Sequence, residues 1–222
     1  MRPAQTPVHL EPYTNQLRTV VLNGSPTRAG NDLHRVPGGH VVLGGIAWDV
    51  GNRIIHLRGK NATTWPWRVA GIVVEKPVSA LHFLHAVGFG TGHGAGLITQ
   101  GEGIPVARYS VHYQSGNAED IPIRYGREVR DWWAFTDRPQ TTDKNTVVAW
   151  QKDNLYLEQC HADGQWHKVQ GIRLFRTTWI NPHPAFVVQT LDLESLDGEC
   201  DPFVLAISLT LRSHRESRTR HG

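Results

Sequence analysis

Two groups of aromatic and polar residues have the composition of a sugar site. Arg127, Arg130, Asp131, Trp132 and Trp133 crowd one short stretch, and Trp179, Asn181 and His183 share another. A sugar ring offers apolar C–H faces and a rim of hydroxyls. Sites for it combine an aromatic plane with a few fixed donors and acceptors. Trp133, Asp131, Arg127, Trp179, Asn181 and His183 are therefore the candidate ligand-binding residues. Each also has a structural use. One of Trp132 and Trp133 can plug a core, and Asn181 can hydrogen-bond its own turn ahead of Pro182.

Other chemistries lack their residues. His82 and His85 are three apart in an apolar run. On a strand, that spacing puts them on opposite faces, so they cannot share one metal ion. One is expected in the core and the other at the surface. The run from Gly88 to Gly96 is glycine-rich but has no Gly-Lys-Ser/Thr ending and no GxGxxG register; it reads as a loop between strands. There is no GxSxG elbow and no HExxH helix. Asp131, Asp192 and Glu194 are available for paired-carboxylate chemistry, but nothing in their spacing singles them out. No catalytic residue is assigned.

Composition points to strands and turns. The chain has 222 residues, with 22 Gly and 13 Pro spread along it and eight Trp. That length suits one large domain with a real core. Net charge is +3, and residues 212–222 carry all of it: Arg212, Arg215, Arg218 and Arg220 against Glu216. The remainder is near neutral, which argues against a nucleic-acid partner. Two cysteines, Cys160 and Cys200, exclude a disulfide scaffold and leave open whether they pair with each other. No run reaches the ~18 apolar residues of a membrane span, and the N-terminus has no apolar segment of signal-peptide length. The expected location is cytoplasmic if Met1 is the native start, and extracellular or periplasmic if the chain is part of an exported protein.

The elements that must position these residues are short strands. Runs of alternating or β-branched residues fall at 40–43, 54–57, 67–74, 80–87, 107–113, 119–123, 146–150, 172–179, 185–193 and 203–211. Turn residues such as Gly51-Asn52, Ser115-Gly116-Asn117 and Asp197-Gly198 separate them. No long amphipathic helix stands out; 127–135 is the best short candidate. Residues 151–170 read as an extra hairpin turning at Asp163-Gly164. About ten antiparallel strands predict an all-β sandwich or jelly roll. The expected organisation is an N-terminal extension with little regular structure (1–39), a sandwich domain (40–211) and a basic tail (212–222).

An ordered set of segments resembles a family of bacterial C-terminal accessory modules. It comprises GGIAWDV (44–50), IIHLRG (54–59), LHFLHA (81–86), YSVHY (109–113), IPIRYG (121–126), DWW (131–133), VAW (148–150), LFRTTWINPHP (174–184) and PFVLAI (202–207). The family is a galactose-binding-like jelly roll similar to carbohydrate-binding modules, found appended to glycoside hydrolases, kinases and membrane-regulatory proteins. Ala47-Trp48 stands where the family has Pro-Phe, which predicts a repacked core position. The resemblance implies fold more firmly than ligand. By fold analogy alone it brings a structural calcium ion at one sandwich edge, whose ligands do not map onto this chain; no other cofactor is expected.

These readings converge on a non-catalytic carbohydrate-binding module for an oligo- or polysaccharide, tethered to parent-protein domains. The main alternative is a protein–protein or structural sandwich, marked by an apolar patch without convergent polar groups. A third is a hydrolase of unrecognised type, which needs a pocket with displaced pKa values.

Overall fold

The computed structural model describes residues 5–22, 28–90, 102–136 and 141–212. Its strands are β1 (Gln5–Pro7), β2 (Gln16–Leu17), β3 (Gly39–Leu43), β4 (Ile46–Val50), β5 (Arg53–His56), β6 (Arg68–Gly88), β7 (Pro105–Tyr113), β8 (Ala118–Arg124), β9 (Trp133–Phe135), β10 (Thr146–Lys152), β11 (Val169–Ile180), β12 (Val187–Ser195) and β13 (Asp201–Leu211). One helix, α1 (Leu155–Ala162), lies between β10 and β11. The protein is an all-β, antiparallel sandwich.

β6 joins the two sheets. Its first half pairs with β12, which continues through β7 to β8. Its second half runs between β13 and β11. The hand-over falls at Pro77 and Val78, the last partner of β12 and the last of β13. Proline has no N–H for a ladder, so it suits a point where pairing changes hands. Ahead of it, two register shifts against β12 each leave an extra residue on β6, and a left-handed backbone at Glu75 (φ 51°) falls in one of them, bending the strand. The sequence reads two strands, 67–74 and 80–87; they are one strand of 21 residues.

Burial follows position. The first half of β6 alternates exposed and buried, because its sheet has a solvent face. Residues 80–88 and 201–210 are buried on both faces. One face packs on the other sheet, where the Phe83 and Tyr109 rings lie 4.8 Å apart. The opposite side is covered by the β3–β4 hairpin, where Trp48 is buried and its indole N–H donates to the Leu43 carbonyl at 2.9 Å. Trp48 is thus a core residue.

The segment 1–39, expected to hold little regular structure, supplies β1 and β2, which pair with β13 and β5. It also buries Leu10, Leu22, Leu33 and Val36. His56 fixes it: Asn15 exchanges two hydrogen bonds with the His56 backbone, Gln16 bonds His56 Nδ1, and Asp201 meets Nε2 at 2.6 Å, with both side chains fully buried. Trp65 stacks on the imidazole at 5.0 Å.

Residues 151–170 form α1 rather than a hairpin. Asn154 Oδ1 accepts from Leu157 N–H at 2.9 Å as the N-cap. Gly164 (φ 73°) sits just past the C-cap, and Gln165 N–H donates back to the Cys160 carbonyl at 2.7 Å. The Asp-Gly pair is a helix stop, a use it shares with hairpin turns. The stretch 127–135 is not helical; it is a turn leading into β9. Cys160 and Cys200 are both buried and form no disulfide with each other. The tail from 213 and most of the glycine run lie outside the described residues. Among the described residues, no helix is long and apolar enough to cross a membrane.

Candidate functional site

The structure divides the six candidate residues. Trp133 is 6% exposed. Its indole N–H donates to Asn31 Oδ1 at 3.2 Å, and its ring meets Trp166 edge-on at 4.9 Å. Asp131 is buried beside it and accepts from Trp133 N–H at 2.8 Å and Gly90 N–H at 2.7 Å. Both are packing and turn-forming residues, and a sugar arriving from solvent cannot stack on Trp133. Arg127 is exposed, with its guanidinium 3.9 Å from Glu128. Trp179 is half-buried against the core. Asn181 is buried and holds its turn, as its position before Pro182 implies. It accepts from Tyr113 Oη at 2.6 Å and His183 N–H at 2.9 Å, and donates to the Val78 carbonyl at 2.8 Å. His183 is exposed beside Tyr113, Phe186 and Glu119.

His82 and His85 do lie on opposite faces of β6, but both are buried, so the expected surface position is corrected. His82 points to the hairpin side, between Thr178 (2.9 Å) and Thr210 (2.8 Å). His85 points between the sheets, to Tyr109 Oη (3.1 Å) and Thr177 Oγ1 (2.9 Å). The second sheet is covered on its outer side as well, which leaves no solvent face for either ring. Among the described residues, no three His, Cys, Asp or Glu side chains converge to hold a metal ion.

The most organised polar surface is the outer face of the β6–β12–β7–β8 sheet. Inward positions are apolar: Leu191 and Leu193 on β12, Tyr109 and Val111 on β7, Ile121 and Ile123 on β8 are all buried. Side chains alternate across a strand, so the intervening positions face out. Register then aligns Arg68, Glu194 and Arg108 across three strands, and Asp192, Ser110 and Asp120 beside them.

These side chains form one ion-pair array. Arg68 Nη2 lies 2.5 Å from Asp192 and its Nε 3.1 Å from Glu194. Arg108 donates from Nε (3.2 Å) and Nη2 to the same Glu194 oxygen, and its Nη1 lies 3.6 Å from Asp120. His112 Nε2 meets Asp192 at 2.8 Å, Gly71 N–H donates to Asp192 at 2.8 Å, and Ser110 Oγ donates to Asp120 at 2.5 Å. Burial alone raises the Asp192 pKa, but hydrogen bonds from Arg68, Gly71 and His112 outweigh it and hold the carboxyl below its usual value. The hydrogen bond to Asp192 raises the Arg68 guanidinium above its ordinary value, and that to Glu194 does the same for Arg108.

Trp67 stands at the end of this array, 50% exposed, with the Arg68 guanidinium 5.9 Å from its ring centroid. Trp65 is the half-buried partner of His56, and Trp67 is free to meet a ligand. The array was missed because its members lie on four strands, and Arg68 is 124 residues from Asp192. The available signal was polar alternation: Arg108-Ser110-His112 and Asp192-Glu194 among apolar neighbours.

A separate cleft of about 370 Å³ is lined by Val8, Leu10 and Leu205, with Glu11, Asp49 and Arg53 among its polar residues. Among the described residues, no Trp, Tyr or Phe lines it. In comparisons with protein-family models, curated proteins and solved structures, no match to this chain was found.

Proposed function

We propose that the protein is a non-catalytic carbohydrate-binding module whose site is the outer face of the β6–β12–β7–β8 sheet. The observation that carries this reading is the exposed Trp67 indole beside an array of fixed polar side chains on rigid strands. The indole supplies a stacking plane for a sugar's C–H face. Arg68, Arg108, His112 and Asp120 supply donors and acceptors already held in place, so binding loses little side-chain entropy. Asp192 does not suit general-acid work: it is held below its usual pKa, whereas a glycosidase acid is held above it.

An open site of this kind binds weakly, with Kd of ~micromolar to millimolar, or roughly −4 to −8 kcal/mol. Tethering to a parent protein raises the effective strength. The test is binding of the purified protein to a broad panel of plant, algal and bacterial glycans, with Trp67→Ala alongside. Specific binding, reduced at least about tenfold in a Trp67→Ala protein that keeps its fold, is the expected result. Silence across the panel from folded protein overturns the proposal and favours a protein–protein role.

A further inference from the structure

The charge balance and the shape of the array define the class of glycan. We infer that the ligand is an uncharged oligosaccharide laid across the strands and recognised along several sugar rings; this rests on the carbohydrate-binding reading above.

The first argument is charge. The array holds two guanidiniums, Arg68 and Arg108, against three carboxylates, Asp120, Asp192 and Glu194. With His112 neutral, its sum is −1. Every charge already has a partner within the array. A uronate or sulfate group can reach Arg68 or Arg108 only beside Asp192 and Glu194 or by displacing them, and either course is unfavourable. A hydroxyl both donates and accepts. It can bridge a guanidinium N–H and a carboxylate oxygen without breaking the pair, since an arginine has five N–H donors and these pairs leave some unused.

The second argument is extent. From β6 to β8 there are three inter-strand steps, which at the usual spacing is roughly 14 Å. That is longer than one sugar ring. Arg68, Arg108, Asp120 and His112 have side chains 38–54% exposed, so donors and acceptors are presented along the whole span. Trp67 stands at the β6 end, which places one ring on the indole and its neighbours over the array. Recognition is therefore distributed along a chain and does not depend on a single terminal sugar.

The experiment titrates the protein with chain-length series of uncharged β-glucan, xylan and mannan oligosaccharides and with polygalacturonate and heparin oligosaccharides, at 50 and 500 mM NaCl. The expected result is binding to an uncharged series, rising at least about tenfold from one sugar to four and changing less than about twofold between the two salt concentrations. The Asp120→Lys variant turns the array from −1 to +1 at an exposed position. It is expected to gain salt-sensitive binding to polygalacturonate. Binding confined to the anionic series, or a monosaccharide bound as tightly as a tetrasaccharide, overturns this inference and leaves the carbohydrate-binding reading standing. No binding in any series, with the panel also silent, removes both.

Discussion

Two buried histidines should make this fold lose stability steeply in mild acid. Burial in the inter-sheet core pushes the His85 pKa down to about 3. His82 is pushed down to about 4 by burial, with the Arg176 charge adding to it. The hydrogen bonds show why His85 stays neutral. Thr177 Oγ1 donates to the Glu128 carbonyl at 2.6 Å, so it must accept from His85 Nε2–H. Nδ1 is then the acceptor, taking the Tyr109 O–H. A second ring proton would meet that hydroxyl hydrogen and force it into the apolar core. An unfolded histidine titrates near 6.5. Both folded values lie below that, so between pH 6.5 and about 4 the unfolded chain binds protons that the native state does not. Stability therefore falls as pH falls, by about 1.4 kcal/mol per unit for each histidine. Two histidines give roughly 5 kcal/mol between pH 6.5 and 4.5, a large share of a typical domain's stability. Urea unfolding followed by tryptophan fluorescence at pH 7, 6, 5 and 4.5 measures this. His85→Gln keeps one donor and one acceptor, and should reduce the pH slope by about 1.4 kcal/mol per unit relative to wild type; other titrating groups cancel in the comparison. An unchanged slope in the variant would refute the assignment.

Two further substitutions separate packing from presentation. Trp133→Ala removes a buried indole packed against Trp166, Tyr156 and Phe135, and should cost about 3–5 kcal/mol in urea unfolding, whereas Trp67→Ala should stay within about 0.5 kcal/mol. Asn154→Ala deletes the α1 cap and should cost about 1 kcal/mol, with hydrogen exchange quickening first at the amide of Leu157.

The strands were legible because their physics is local. Alternation and turn residues marked β7, β8, β12 and β13 to within a few residues. The errors occur where one local signal serves two structures. Asp163-Gly164 fits a hairpin turn and a helix end equally, and only the Asn154 cap nine residues earlier distinguishes them. Leu81 to Val87 reads as a strand in either sheet; that it is covered on both sides depends on the β3–β4 hairpin carrying Trp48, which is remote in sequence. For the same reason His82 could not be recognised as buried.

The candidate site was hidden by a different property. Clusters such as Asp131-Trp132-Trp133 attract attention because they are contiguous, but adjacent residues on an extended chain point in different directions. Asp131 spends its carboxylate on the backbone N–H of Trp133, and the cluster closes on itself. A binding face on a sheet is instead made of every second residue from several strands. Most of its members therefore stand apart in the sequence, Trp67 and Arg68 being the adjacent pair. Here the long β6 brings Arg68 to the face at one end, with Trp67 just ahead of the strand, while its other end is locked between β11 and β13. The strand that fixes the core thus also sets the register of the array. Arg68 meets Asp192 and Glu194 only because β6 and β12 pair as they do; a one-residue slip would turn those carboxylates inward.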